Sequence, residues 1–165
     1  MQHRILSHKE IQYKIERIAY QIYEANVDED YLILAGIEGG GLKFARKLQK
    51  VLQKITDAEI VLCKVEMNKK DPLSSGVKTS LSTEEYANRS VVIVDDVLNS
   101  GTTLIYGVHH FLQTPLKQLK TAVLVNRNHK KYPVKADYKG ISLSTSLQEH
   151  VKVDFQSKND AVFLE

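Results

Sequence analysis

No stretch of the chain restricts its fold as tightly as Val91 to Leu104. Val91-Val92-Ile93-Val94 is apolar at every position, the pattern of a strand buried on both faces, and such strands belong to parallel sheets covered by helices. The apolar run stops at Asp95-Asp96. After Val97 and Leu98 come Asn99-Ser100-Gly101-Thr102-Thr103, small and hydroxyl-bearing residues that open an amphipathic helix from roughly Thr102 to Leu112.

Each part of this run suits one part of a phosphorylated sugar. Two adjacent carboxylates can accept hydrogen bonds from vicinal hydroxyls. Gly101 permits close backbone approach, and the amides of the helix start, with the Ser100, Thr102 and Thr103 hydroxyls, can hold a phosphate. The ordinary alternative is a strand-to-helix turn capped by Ser or Thr, which leaves the paired acids unexplained.

The rest of the chain continues the alternation. Ser7-His8-Lys9-Glu10 is a capping box with Leu6 and Ile11 placed as a hydrophobic staple, and Ile11, Ile15, Ile18 and Ile22 follow at helical spacing. Tyr31 to Ile37 reads as a buried strand, Leu42 to Ile55 as a helix, and Ile60 to Val65 and Thr121 to Val125 as further strands. This order predicts a doubly wound α/β domain with ligands at the carboxyl ends of the strands. Asn68 to Asn88 and Asn126 to Gly140 lack periodicity and read as loops, while Val151 to Phe155 and Ala161 to Leu164 read as short closing strands. Glu38-Gly39-Gly40-Gly41, between the first strand and its helix, offers a second nest of amides for an anion, although a glycine run there is often only a tight connection.

Composition narrows the class. A chain of 165 residues fits a single domain spanning 1–165, and a formal charge of +3 is too small by itself to argue for nucleic acid. The lone Cys63 excludes an intramolecular disulfide and offers no zinc cluster, which fits a reducing, cytoplasmic compartment. Met1 to Glu10 has no long apolar stretch and Tyr31 to Ile37 is too short to cross a bilayer, so neither secretion nor membrane insertion is expected.

Val91 to Leu104 resembles the motif with which type I phosphoribosyltransferases bind 5-phosphoribosyl 1-pyrophosphate (PRPP): a hydrophobic strand, two acids and a Thr/Ser-Gly-x-Thr turn. The resemblance implies an α/β fold with a mostly parallel, twisted sheet flanked by helices and topped by a small hood. It also implies Asp95 and Asp96 on the ribose hydroxyls, Asn99, Ser100, Gly101, Thr102 and Thr103 around the 5-phosphate, and Glu38, Gly39, Gly40 and Gly41 under the pyrophosphate. Nearly the whole chain is similar to the bifunctional pyrimidine-operon attenuation regulator and uracil phosphoribosyltransferase group. Asn126 to Gly140 agrees with that group's segment at Arg127, His129, Pro133, Asp137, Tyr138 and Gly140, and Thr145-Ser146, Glu149, Val151 and Asn159-Asp160 continue the likeness. From it follow a base region at Asn126, Arg127 and Tyr138, uracil or a related pyrimidine as acceptor, and a homodimer or larger assembly. Mg2+ would be held mainly through PRPP, with Asp154 and Glu38 as candidate supporting contacts.

Departures from the group bear on chemistry. Gly40 stands where the group carries an Arg, which removes one cation for the leaving group. Asn68-Lys69-Lys70-Asp71 replaces Tyr-Arg-Asp-Asp in the flexible loop, so Lys69 and Lys70 become the cations available to the pyrophosphate, without the bidentate geometry of Arg. Asn126 replaces an Asp. Asn99 replaces a Tyr and occupies the place where purine-using relatives carry an acid; an amide takes no proton at neutral pH, which favours a pyrimidine. Two other classes stay open. The basic stretch Lys117 to Lys139, with seven Lys or Arg against Asp137, suits an RNA-binding regulator, and the altered loops suit a non-catalytic PRPP binder.

Overall fold

The computed structural model describes residues 2–165. In chain order the elements are β1 (His3–Leu6), α1 (His8–Ala25), β2 (Tyr31–Ile37), α2 (Gly40–Ile55), β3 (Glu59–Glu66), α3 (Pro72–Ser75), β4 (Lys78–Thr79), α4 (Thr83–Tyr86), β5 (Ser90–Leu98), α5 (Thr102–Phe111), β6 (Gln118–Arg127), β7 (Tyr138–Leu143), β8 (Val151–Asp154) and β9 (Ala161–Leu164).

Six strands form the main sheet in the order β4-β3-β2-β5-β6-β7. All neighbours run parallel except β4, a two-residue antiparallel edge on β3. Its central strands are apolar at successive positions because both faces are covered. Leu32, Leu34, Val92, Val94, Ala122 and Leu124 pack with α1 and α2, whereas Ile33, Ala35, Ile37, Val91, Ile93 and Val123 pack with Leu104 and Phe111 of α5 and Tyr86 of α4. Burying such side chains contributes roughly 1.5–3 kcal/mol each, and the period of two on each face fixes the register. The helix α1 begins where its sequence places it: the Ser7 amide donates to Glu10 Oε2 at 2.7 Å and the Glu10 amide to Ser7 Oγ at 3.3 Å.

From β2, α2 leads to β3 on one side, and the chain then returns to lay β5 on the other. The carboxyl ends of β2 and β5 therefore part around a crevice, the place where doubly wound sheets take ligands. A second sheet, antiparallel in the order β1-β9-β8, is the hood. It is pinned to both helices of one face by Asp160, whose buried carboxylate accepts from Gln12 Nε2 at 2.8 Å and the Gln156 amide at 2.8 Å and pairs with Lys47 Nζ at 3.1 Å. Phe155 stacks on Phe44 with ring centroids 5.9 Å apart.

The structure corrects several readings of local structure. The strand expected at Val91–Val94 continues to Leu98, so both acids lie within it, with Asp95 in register opposite Val123 of β6. Asn126 to Gly140 is not one loop. Asn126 and Arg127 end β6, and Tyr138 to Gly140 belong to β7, whose edge pairing compensates for its mixed sequence. The Asn68 to Asn88 stretch contains α3, β4 and α4, all too short to show a period. β1 had no sequence signal of its own, because its stability comes from pairing with β9 at the far end of the chain.

Candidate active site

The two acids at the end of β5 point to opposite sides of the sheet, as successive strand residues must. Asp95 turns toward α5. Its Oδ2 accepts from Thr103 Oγ1 at 2.8 Å and its Oδ1 from the Asp96 amide at 2.9 Å, and the residue is only 4% exposed. Asp96 turns toward the start of α2. Its Oδ1 accepts from the Val97 amide at 2.8 Å, and its Oδ2 lies 2.0 Å from where a Cβ on Gly40 would sit. Any side chain at position 40 would displace this carboxylate, so Gly40 and Asp96 occupy one space between them.

Burial, and then the neighbouring Asp96 carboxylate, push the Asp95 pKa up to about 8, against the weaker opposing pull of Thr103 and Lys69. The Asp95 carboxyl is therefore harder to ionise than an ordinary aspartate, which lessens the repulsion a polyanion would meet on this cavity floor.

Around these acids opens a cavity of about 320 Å³ lined by Lys69, Asp95, Asp96, Val97, the residues Asn99 to Thr103 and Val151. The turn of α5 is well braced. Gly101 has φ +87, a value an L side chain adopts only with strain, and as N-cap it offers the helix no side-chain bond, although the Thr102 amide donates to Ser100 Oγ at 3.3 Å. Ser100 Oγ and Thr102 Oγ1 are 2.8 Å apart, and the Ser100 carbonyl accepts from the amides of Lys131 at 2.7 Å and Tyr132 at 3.2 Å. A Cβ on Gly101 would come within 2.6 Å of Val134 Cγ1. The segment 131–134 thus backs the turn, a contact that sequence reading missed because it links residues thirty positions apart through backbone groups.

The second helix start is Gly39-Gly40-Gly41. Gly39 is its N-cap, with φ +94 and no side-chain hydrogen bond, while the Glu38 amide is tied to the Val65 carbonyl at 2.8 Å and the Glu38 side chain is exposed. A Cβ on Gly41 would lie 2.7 Å from the Val94 carbonyl oxygen, so only glycine allows α2 to start this close to β5. Lys69 crosses to this side, its Nζ 3.6 Å from where a Cβ on Gly39 would sit.

Other expected site residues fall elsewhere. Lys70 is exposed and does not line the cavity; its amide is held by Asn68 Oδ1 at 3.1 Å, which turns the chain so that only one of the two lysines faces inward. Tyr138 sits at the start of β7 within the core cluster that covers α1, because its ring is worth more buried there than beside a polar cavity. Asp154 accepts from Gln156 Nε2 at 2.8 Å on β8 and does not line the cavity. Asn126 is half-buried, donates to Ser142 Oγ at 3.3 Å, and leaves Oδ1 buried without a partner.

Arg127, expected in the base region, is held inside the protein. It is 5% exposed, and its guanidinium spans from the phosphate-type turn to the segment below the hood. Nη1 donates to Asn99 Oδ1 at 2.7 Å, Nε to Thr145 Oγ1 at 3.0 Å, and Nη2 to the Glu149 carbonyl at 2.7 Å and more weakly to that of Ser146 at 3.4 Å. The Ser146 amide in turn holds the Glu149 carboxyl below the usual range, with a smaller contribution from Arg127.

A hard divalent cation fits the donor set. Asp96 is a carboxylate with an oxygen free of internal hydrogen bonds, facing the cavity beside a second acid. Among the described residues no group of three or more His, Cys, Asp or Glu is arranged to hold an ion unaided, so such a metal would take most of its ligands from a bound molecule.

Comparison with known proteins agrees with this architecture. The phosphoribosyl transferase domain model matches residues 1–158. The chain is 31% identical over 148 residues to the "Bifunctional protein PyrR" of Streptococcus pneumoniae strain CGSP14, an alignment covering 88% of this chain and 86% of that protein. Among solved structures, a hypoxanthine phosphoribosyltransferase of Trypanosoma cruzi superposes with TM-score 0.76 at 19% identity, covering 96% of this chain and 94% of the other. A hypoxanthine-guanine phosphoribosyltransferase of Bacillus anthracis superposes with TM-score 0.71 at 21% identity, covering 85% and 81%. At these identities the structural likeness is one of fold.

Proposed function

The chain belongs to the phosphoribosyl transferase domain family, and from that premise we propose that it transfers the ribose 5-phosphate of PRPP to uracil or a related pyrimidine, releasing pyrophosphate, in nucleotide salvage. The observation that carries this reading is the single cavity in which Asp95, Asp96, the Asn99 to Thr103 turn and Lys69 meet.

In this proposal the α5 turn takes the 5-phosphate on its amides and on the Ser100, Thr102 and Thr103 hydroxyls. Asp96 accepts from the ribose hydroxyls. Asp95, with both oxygens engaged, acts chiefly by orienting Asp96 and Thr103, its burial disfavouring the charged form. The glycines 39–41 receive the pyrophosphate on backbone amides, with Lys69 supplying the positive charge that an Arg in place of Gly40 would otherwise bring. Bond breaking at the anomeric carbon spreads charge between ribose and leaving group, so fixed donors and exclusion of water do more here than proton transfer. Mg2+, when bound with PRPP, would neutralise the pyrophosphate, and Asp96 is the side chain placed to face it. The domain is one unit, 1–165, and we expect it to work as a homodimer or larger assembly in the cytoplasm.

The preference for a pyrimidine rests on Asn99, an amide that Arg127 engages and that removes no proton. A pyrophosphate-release screen with PRPP and Mg2+ across uracil, orotate, guanine, hypoxanthine and xanthine tests both halves. Turnover with uracil is expected; turnover with purines alone overturns the choice of base, and none with any base leaves a PRPP binder.

RNA control is a second reading, favoured by one observation: Lys130, Lys131, Lys135 and Lys139 are all exposed along the β6–β7 connection and the start of β7. Binding to structured RNA with a steep dependence on salt would support it, and a flat dependence would remove it.

A further inference from the structure

Two residues of the α5 turn have side chains claimed by another strand, Thr103 by Asp95 of β5 and Asn99 by Arg127 of β6. Asn99 Oδ1 accepts from Arg127 Nη1 at 2.7 Å. A guanidinium carries five N–H donors and no acceptor, so only the oxygen of the amide can meet it. Arg127 is not free to turn: it is 5% exposed and held through Nε by Thr145 and through Nη2 by the Glu149 carbonyl. Rotating the amide would set an NH2 group against an N–H of the guanidinium, losing a charge-assisted bond and creating a donor–donor contact.

We infer that Arg127 fixes the amide of Asn99 so that its NH2 group faces the cavity, making position 99 an obligatory hydrogen-bond donor toward the base and hence a specificity-determining residue. Arg127 is then a positioning residue, acting on the base only through Asn99. The inference rests on the phosphoribosyltransferase reading of the cavity and adds what its base position selects. Asn99 is exposed and lines that cavity beside Ser100 and Gly101. A base with an acceptor at the edge that meets Asn99, a ring carbonyl oxygen or an unprotonated ring nitrogen, is matched. One with an amino group or a C–H there leaves a donor facing a donor or an apolar edge. Sites built to hydrogen-bond a ligand group discriminate strongly against analogues that lack it.

The two residues are also one unit with the β7–β8 connection that leads into the hood. Arg127 ties Asn99 to Thr145, Ser146 and Glu149, so the amide orientation is set only while that segment is in place.

Calorimetric titration with nucleoside monophosphates tests this without requiring turnover. UMP against CMP exchanges the carbonyl oxygen at C4 for an amino group, and GMP against 7-deaza-GMP exchanges the unprotonated N7 for a C–H. The wild-type protein is expected to bind the acceptor-bearing member of at least one pair about tenfold more tightly. Asn99→Asp retains a partner for Arg127 but presents only acceptors, so that ratio should fall to about one or reverse. Arg127→Gln, which frees the amide to rotate, should shrink the ratio while raising affinity for neither member. Equal ratios in wild type and Asn99→Asp, or no preference in the wild type, overturn the inference. Ribose 5-phosphate, titrated into the wild type, separates the two levels: if it binds and the ratios do not move, selection by Asn99 fails alone; if it does not bind, the reading of the cavity fails with it.

Discussion

At the start of α5 the backbone turn carries Asn99, Ser100, Thr102 and Thr103, and it is held from behind by the amides of Lys131 and Tyr132. At the start of α2 stand three glycines with no hydroxyl among them, and the nearest cation, Lys69, reaches over from the β3–α3 connection. The first cradle contains its own polar groups; the second is bare backbone lent a charge by a distant segment. On the strand between them, Asp96 fills the space beside Gly40 of the α2 cradle, while Asp95 is held by Thr103 of the α5 cradle and also abuts Gly41. The difference teaches how an anion site divides between what is built in and what must arrive. The α5 cradle can hold a phosphate as it stands, whereas the α2 cradle depends on where the Lys69 segment lies.

Substitutions can break this comparison. Asp96→Ala removes the carboxylate shared by cavity and α2, and with charge-assisted hydrogen bonds of about 1.5–3 kcal/mol each, PRPP affinity should fall about a hundredfold by calorimetry. An unchanged affinity would remove Asp96 from the site.

Asp95→Asn should act in the opposite sense, on stability. The Asp95 pKa is raised to about 8 in the fold, against roughly 3.9 in the unfolded chain, so the folded state keeps a proton that the unfolded state has lost. Its contribution is fully present below pH 4 and declines as pH rises through about 8. Asparagine does not titrate. The variant should therefore gain steadily on wild type in denaturant melts as pH rises over this window. A constant difference between the two proteins across that window would show that Asp95 is ionised in the fold.

Gly101→Ala imposes a left-handed conformation on an L residue, at about 1–2 kcal/mol, and drives a methyl toward Val134 Cγ1. Affinity for ribose 5-phosphate should drop roughly tenfold as the turn shifts. Lys69→Ala should weaken pyrophosphate binding by only about fivefold, and less at high salt, with Lys70→Ala near wild type. If Lys69→Ala weakened ribose 5-phosphate as much as pyrophosphate, the two cradles would not be separate.

What could be read from sequence follows the same division. The α5 turn, both acids and the alternation of strands and helices were legible because they depend on neighbours in the chain: a strand period of two, a glycine in a turn, hydroxyls at a helix start. The Ser7 capping box was legible for the same reason. Arg127 and Tyr138 were not. Both are polar or amphipathic residues whose place is decided by partners far along the chain, Asn99 and Glu149 for one and the α1 core for the other. Nor could sequence distinguish Asp95 from Asp96, since the two are chemically alike and differ only in the face of β5 they occupy. The inward position of Lys69, and the outward one of Lys70, likewise comes from a turn at Asn68 that has no periodic signature.

The account stands on the cavity at the carboxyl end of β5 being a PRPP site, and titration of PRPP with Mg2+ into wild-type and Asp96→Ala protein tests it most directly. It predicts saturable binding of one molecule per chain in the wild type and about a hundredfold loss in the variant. No binding by the wild type, or equal binding by both proteins, would contradict it.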